Sequence, residues 1–567
     1  MTRLVRMVQA SFTAGEIAPE MYGRIDTTRY YAAAQRLENV MVQPQGGLRR
    51  RPGMRHIADI PDGAAGVRLI PFAFNVNQTF LFVLTDGTFR VYRGADGVLL
   101  ATVTGCPWNG AQAAQMNWAQ SADTLLLTHH DVQPQRIRRG GTDSIWTRDA
   151  VPLTNIPTHD YGSGAEPVIS ATRGWPESVT FHQGRLWLAG FRSRPATFMG
   201  SKAGEFFNFD QGTGLDDEAI YATIETDQVN PIHQVASGRN LQFFTAGAEY
   251  AVLVEPPITP GKIAVQEQTR QGIRRHARVM ELDGAALYVQ GNGAGLRQFL
   301  YSEVERAYDS ELLSLLAPHL VRDAVGLAAR KAGPNDAANH VLILNADGQM
   351  AVLTSLRTQE VVAFTRWTTD GQVRSMAPLL FGQVYFAVLR NGSMRLEVWD
   401  DEAVTDAAAR LTFGTPVTTA SGLSHLEGRS VAIRAGGIFQ GLATVTGGTV
   451  SWSTPATQVE LGLPMQLTVQ PLPMEPRDAS GALIGRRSRI VRTSLRVEGT
   501  SPFQVNGRTA VVRTLGTTLD SPPPTVAEDV NIEGMIGWRR RHTLTITQPA
   551  PGPFRLLALA YQIAVGE

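Results

Sequence analysis

Three short stretches bring together residue types that can do chemistry. His129-His130-Asp131 offers two imidazoles and a carboxylate, the donors of a metal site or of an acid–base pair. No second cluster at ligand spacing lies near it, and a solvated loop end after the strand-like run Thr124–Thr128 is the simpler reading. Asp216-Asp217-Glu218 carries charge enough for calcium but lacks the alternating oxygen donors and turn glycine of a calcium loop, so it reads as an acidic surface turn. Gly291-Asn-Gly-Ala-Gly295 is rich in glycine like a phosphate cradle, yet it lies between two strand-like segments and opens no helix; a hairpin turn fits better. Gly-x-x-x-x-Gly-Lys-Ser/Thr, Gly-x-Ser-x-Gly and His-Glu-x-x-His are absent from the sequence. No enzymatic activity, cofactor or metal is expected.

Arginine is the other reactive element. Lysine occurs only at 202, 262 and 331, so the basic charge is almost entirely guanidinium, suited to bidentate and stacked contacts at interfaces. Clusters stand at 49–51, 136–139, 274–275, 486–489 and 539–541. They can touch phosphate, or they can pair with acidic groups across subunit interfaces. The second reading is preferred for Arg49, Arg50 and Arg51. Arg486, Arg487, Arg489, Arg539, Arg540 and Arg541 are candidates for a DNA path or an interface. The net charge of +1 gives no global basic field.

The elements that must position these residues are strands. At 567 residues and 43% hydrophobic, the chain exceeds one ordinary domain. Cys106 is alone, so no internal disulfide forms, and no apolar run approaches the roughly 20 residues of a membrane helix. The N-terminus lacks a signal-like apolar core, so folding in cytoplasm is expected. From Val67 onward, short runs alternate apolar and polar residues between Asp-Gly or Gly-rich turns, as in Thr79–Leu84, Asp86-Gly87 and Thr88–Tyr92. The unit recurs at roughly 40 to 50 residues, the texture of a β-propeller. A helical excursion is expected over 302–316, where Val304, Tyr308, Leu312, Leu315 and Leu316 have helical spacing, and a shorter one over 403–410. After about residue 421 a separate, sandwich-like β domain is expected, with Ser521-Pro-Pro-Pro524 as its clearest loop. It carries 14 arginines against 10 acidic residues.

The expected organisation is therefore an N-terminal arm over 1–60, a β-propeller-like platform over 61–410 and a C-terminal β domain over 411–567. In the arm, Thr13 and Glu16 have capping-box spacing. Asp26 can cap a helix with Tyr30, Ala33, Ala34 and Leu37 on one face. Val40–Gln43, a turn at 44–47 and Leu48–Arg51 read as a hairpin.

The same arm carries a resemblance. Ser11–Asp26 (SFTAGEIAPEMYGRID) and Arg29–Ile57 (RYYAAAQRLENVMVQPQGGLRRRPGMRHI) resemble the opening of the tail tubular protein B, or nozzle, family of short-tailed bacteriophages. RLIPFAFNVNQTFLFVLTDGTFRVY, MNWAQSADTLLLTHH, PESVTFHQGRLWLAGF, GSKAGEFFNF and HLEGRSVAIRAGG are similar to later stations of that family, in the same order. The resemblance covers most of the chain and implies a structural virion protein containing a β-propeller. It implies a homo-oligomeric ring of six copies below the portal and adaptor proteins, through which double-stranded DNA is retained and ejected. Tail fibres or spikes are further candidate partners, and the virion tail is the expected location. The candidate docking residues are Phe12, Tyr22, Tyr30 and Tyr31 with Arg49, Arg50 and Arg51, since aromatics and arginine anchor interfaces. The alternative function is an adhesin binding host-surface glycan through exposed Trp146, Trp175 and Trp187, of which Trp187 lies mid-strand.

Overall fold

The structure, a computed structural model, describes residues 3–162, 164–226, 230–333, 336–475, 477–478, 481–482, 485–510, 525–534 and 537–566. The chain is mainly β. Six four-stranded antiparallel meanders follow one another over residues 68–104, 117–150, 176–223, 232–269, 280–312 and 324–367, each with its strands paired in chain order. A seventh unit takes Gln372–Pro378, Val384–Arg390 and Ser393–Asp400 and borrows its outer strand, Gly53–Asp59, from before the first unit. Gly53 faces Asp400 and Asp59 faces Arg395. These are seven propeller blades, closed into a ring by a strand from the other end of the series.

The cores explain why. A blade strand such as Gln78–Thr85 is buried on both faces from Phe80 onward, because each blade packs between two neighbours. Each of the seven blade junctions has its own apolar cluster. Phe72, Phe82 and Trp146 join the first and second blades. Phe198 and Phe243 join the third and fourth. Leu69, Tyr385 and Leu396 join the seventh back to the first. The tight turns follow from sequence: Asp86-Gly87 links two strands with Gly87 at φ +55°, a conformation that favours glycine.

Two blades extend outward. Val361–Trp367 of the sixth blade meets Ala33–Glu38, which pairs with Leu467–Pro471 and, beyond it, Ile546–Gln548. The closing strand Gly53–Asp59 meets Asp406–Ala420, which forms a small four-stranded sheet with Val450–Leu463, Ser430–Ala435 and Ile438–Thr444. A further sheet runs Val40–Val42, Leu48–Arg50, Arg555–Val565, Ser488–Val497 and Asp529–Glu533, with Arg3–Gln9 paired along Arg555–Val565. The apolar core between this sheet and the Ala33–Glu38 sheet includes Phe12, Leu37, Leu48, Leu495 and Leu559, so the C-terminal sandwich contains residues from both ends of the chain.

The hairpin at Val40–Arg50, the propeller texture and the Gly291–Gly295 turn agree with the sequence reading; a sandwich is present, but it is not a separate domain over 411–567, since strands from residues 3–50 complete it and 406–463 instead form the small sheet beside Gly53–Asp59. Five further expectations are corrected. Residues 1–60 are not a separate arm; they are strands of the sandwich and the last blade. Residues 302–316 hold no helix, since Ala307–Leu312 is the outer strand of the fifth blade and Tyr308 stacks on Phe299 with ring centres 4.6 Å apart. Tertiary pairing overrides the helical spacing there. Residues 403–410 enter the long strand Asp406–Ala420, and the helix after Asp26 is only Thr28–Tyr31, with Ala33, Ala34 and Leu37 in the strand that follows. Thr13 and Glu16 form no capping box; Glu16 is a strand residue whose carboxylate accepts the Leu37 N–H. The Ser521–Pro524 loop lies outside the described residues.

Candidate functional site

The three consecutive arginines lie where the sixth and seventh blades, the sandwich and the small sheet meet. Arg51 is buried and holds Asp406 through both guanidinium ends, at 2.6 and 3.0 Å. It also donates to Asn39 Oδ1 at 2.8 Å and lies 5.3 Å from the Trp367 ring centre. Burial works to raise the Asp406 carboxyl, but Arg51 outweighs it and the group is held below its usual range. Arg50 donates to Gln548 Oε1 at 2.8 Å and to the Met465 carbonyl at 2.7 Å. Arg49 pairs with Asp336, which Arg330 also holds. Their partners are thus in the same chain, which corrects the expectation of pairing across subunits.

The opening aromatics follow the same pattern. Phe12 and Tyr30 are buried, and the Tyr30 hydroxyl donates to the Pro473 carbonyl at 2.9 Å. Tyr22 and Tyr31 are half-buried, and Arg541 lies 5.3 Å from the Tyr22 ring centre. Phe12 and Tyr30 are therefore not exposed docking anchors. Nearby, buried Glu16 binds His319 at 2.9 Å and pairs with Arg366, tying this stretch to the sixth blade.

The C-terminal arginines behave differently. Ser488 and Arg539 form an antiparallel bridge, 2.8 and 2.9 Å, that brings the two clusters side by side. Arg486, Arg487, Arg489, Arg539, Arg540 and Arg541 are all exposed, and among the described residues none forms an ion pair. Arg486, Arg540 and Arg541 line one small hollow together with Glu475.

His129-His130-Asp131 closes the turn after the strand Thr124–His129. Its ligand atoms lie within 4.8 Å of one another. His129 Nδ1, however, accepts the Asp131 N–H at 3.1 Å, which leaves Nε2 to donate to Gln115 Oε1 at 3.2 Å, and Arg192 holds Asp131 at 2.8 Å. Both nitrogens of His129 are in use, and cations line the group. This is a structural network, and its buried His129 corrects the reading of a solvated loop end. It continues into Glu177, which contacts Arg275 at 2.9 Å and His233 at 3.5 Å. Burial works to raise the Glu177 carboxyl, but His233 and Arg275 hold it at about 2. Burial pushes His129 and His276 down to about 4. A carboxylate fixed in its charged form and imidazoles fixed in their neutral forms are poor proton carriers near neutral pH. The Asp216–Glu218 turn is held by Arg185, which donates to the carbonyls of Asp216 and Glu218 at 2.6 Å each, so its backbone has a structural partner.

Sequence reasoning missed the centre of the ring. Inner strands of five blades surround a cavity of about 270 Å³ lined by Arg68, Pro71, Trp118, Arg278, Val325 and Met376 among others. Arg278 stands just before the inner strand of the fifth blade. It crosses to the second, donating to Asn117 Oδ1 at 2.6 Å and to the Trp118 carbonyl at 2.7 Å, with its guanidinium 3.9 Å from the Trp118 ring centre. Arg68, on the first blade, sits 5.0 Å from the same ring. No spacing signal joins residues 68, 118 and 278; only ring closure brings them together. Trp146 and Trp187 are buried and Trp175 is half-buried.

No protein-family model matches the chain, and no curated protein matches it. Among solved structures, the chain is similar to the RRP9 WD40 repeats, at 8% identity and a TM-score of 0.39, over 62% of this chain and 99% of that one. It is also similar to U3-55K, at 7% identity and a TM-score of 0.39, over 61% and 99%. The β-propeller domain of Cps50 (Swd1) from Myceliophteria_thermophila gives 11% identity and a TM-score of 0.36, again over 61% and 99%.

Proposed function

We propose that this chain is a structural tail protein of a short-tailed phage, one subunit of a ring below the portal and adaptor through which DNA passes. The observation that carries the reading is the ordered set of stretches, from Ser11–Asp26 to His425–Gly437, that resembles the tail nozzle family along most of the chain. Two features of the structure support it. The most distinctive stretch, residues 11–53, is the seam that fixes the sandwich to the propeller, as a rigid subunit of a tube requires. Around Ser488 and Arg539 stand six exposed arginines, none in an ion pair among the described residues and one of them, Arg541, against the Tyr22 ring, which suits contact with an acidic neighbour or with passing phosphates. The glycan-binding alternative calls for clustered exposed tryptophans; Trp146 and Trp187 instead fill blade cores, Trp175 is half-buried, and among the described tryptophans only Trp538 is exposed.

The test is the mass of the purified protein by light scattering, alone and mixed with its portal and adaptor partners. A sixfold ring, or assembly only on the partner platform, is expected. A monomer that never joins a tail complex overturns the reading.

A further inference from the structure

The axis of the propeller holds two guanidinium groups that have no acidic partner. Among the described residues, Arg278 is bound only by the Asn117 amide oxygen and the Trp118 carbonyl, and Arg68 only by the Ala114 carbonyl at 3.4 Å; both lie against Trp118. Elsewhere several buried arginines pair with carboxylates, as at Arg51–Asp406 and Arg390–Glu397, whereas buried Arg50 and Arg185 are held by several short bonds to amide and carbonyl oxygens. Both side chains are half-buried, and two like charges brought against one ring without a carboxylate partner repel each other. Burial, and the nearness of Arg68, push the Arg278 guanidinium down to about 9. Of the other charged groups lining the cavity, Arg374 adds a third positive charge and Glu281 is the one carboxylate; Glu281 is exposed and forms no ion pair among the described residues. The remaining wall, including Pro71, Val279, Val325, Leu327 and Met376, is apolar.

We infer that the central channel is a binding site for a small doubly charged oxyanion, a phosphate ester or a dicarboxylate, held between Arg68 and Arg278 beside Trp118. Guanidinium edges left free by stacking on an indole suit bidentate oxyanion contacts. The cavity of about 270 Å³ accommodates a compact organic body against its apolar wall. Bound there, the anion would link the first, second and fifth blades across the axis, so its effect should appear as stability of the ring. The inference does not depend on the role in a tail.

The experiment follows thermal unfolding of the full chain in sodium phosphate, in phenyl phosphate and in sodium succinate, at ionic strength matched with chloride. A saturable rise in Tm with either anion class is expected, and the class that gives it identifies the ligand chemistry. Arg278→Gln should weaken the response at least tenfold, and Glu281→Gln should strengthen it by removing the opposing charge. Melting that follows the chloride control for every anion overturns the inference, as does an undiminished response in Arg278→Gln. If that variant fails to fold by circular dichroism, crystals of the unaltered protein soaked in tungstate decide. An anomalous peak between Arg68 and Arg278 supports the site, and peaks only elsewhere, or none, overturn it.

Discussion

Arg51 shows how one side chain can hold several elements at once. Its guanidinium is fully enclosed, both ends are on Asp406, and Asn39, Thr368 and Pro52 take the remaining donors. A buried pair of this kind is weak evidence of net stabilisation against an apolar replacement, but removing one partner strands the other charge. Arg51→Ala should therefore cost about 3–5 kcal/mol in denaturant unfolding. Arg51→Lys should recover little, because an ammonium cannot reproduce the two-ended contact. Histidine sets a second residue-scale expectation. His129 and His276 fall to about 4 from an ordinary 6.5, mainly through burial, so the unfolded chain takes up their protons first as pH drops. Stability is fully present above pH 6.5 and is lost as pH falls toward 4. Below that, Glu177, held at about 2, loses its contribution between about 4.5 and 2. His276 faces Glu177, Arg275, His129 and His233, and it sits at φ +68°, which asparagine tolerates. His276→Asn should make the fall in Tm between pH 6.5 and 4 shallower; melting curves parallel to those of the unaltered protein would show that this imidazole does not titrate on unfolding.

At the scale of elements, packing between blades governs. Trp146, on the outer strand of the second blade, makes edge contacts with Phe72, Phe80 and Phe82 of the first at 5.0 to 5.4 Å. Trp146→Ala should cost about 3–5 kcal/mol, read by chemical denaturation. A cost within half a kcal/mol would mean that the junction refills itself. Much of this level was legible in the sequence. Alternation and Asp-Gly turns announce each hairpin because both act between neighbours in the chain, and the Val40–Arg50 hairpin and the meander over 68–104 follow the expected lines. Helical spacing misled at 302–316 because Val304 is exposed and Tyr308 is claimed by Phe299 and Tyr301 of its own blade. The candidate site was less legible. The internal role of Arg49–Arg51 depends on Asp336, Asp406 and Gln548, and the channel site on residues 68, 118 and 278, none of which is local in sequence. A single sequence shows spacing along the chain and says little about pairing across it.

For the whole molecule, the decisive feature is that the two ends of the blade series and the two ends of the chain share one seam. Gly53–Asp59 closes the ring on Ser393–Asp400 and touches Asp406–Ala420, while the residues just before it belong to the sandwich. Gly53 is the tightest point. A Cβ there would lie 2.0 Å from the Thr405 carbonyl oxygen and 3.0 Å from Ala403 Cβ, and the Gly53 N–H already donates to Ala403 at 2.8 Å. A larger side chain must push the closing strand away from the strand that carries the small sheet. Gly53→Val is expected to lower stability by about 3 kcal/mol, since backbone cannot yield as a flexible side chain can. Gly141→Ala, with nothing within 4 Å of the added Cβ, is the control and should leave the melt unchanged. The form of the loss matters more than its size. If the seam joins propeller and sandwich into one cooperative unit, calorimetry of Gly53→Val shows a single transition shifted downward. Two separated transitions would mean that each body folds alone, with the residues between 49 and 59 acting only as a tether.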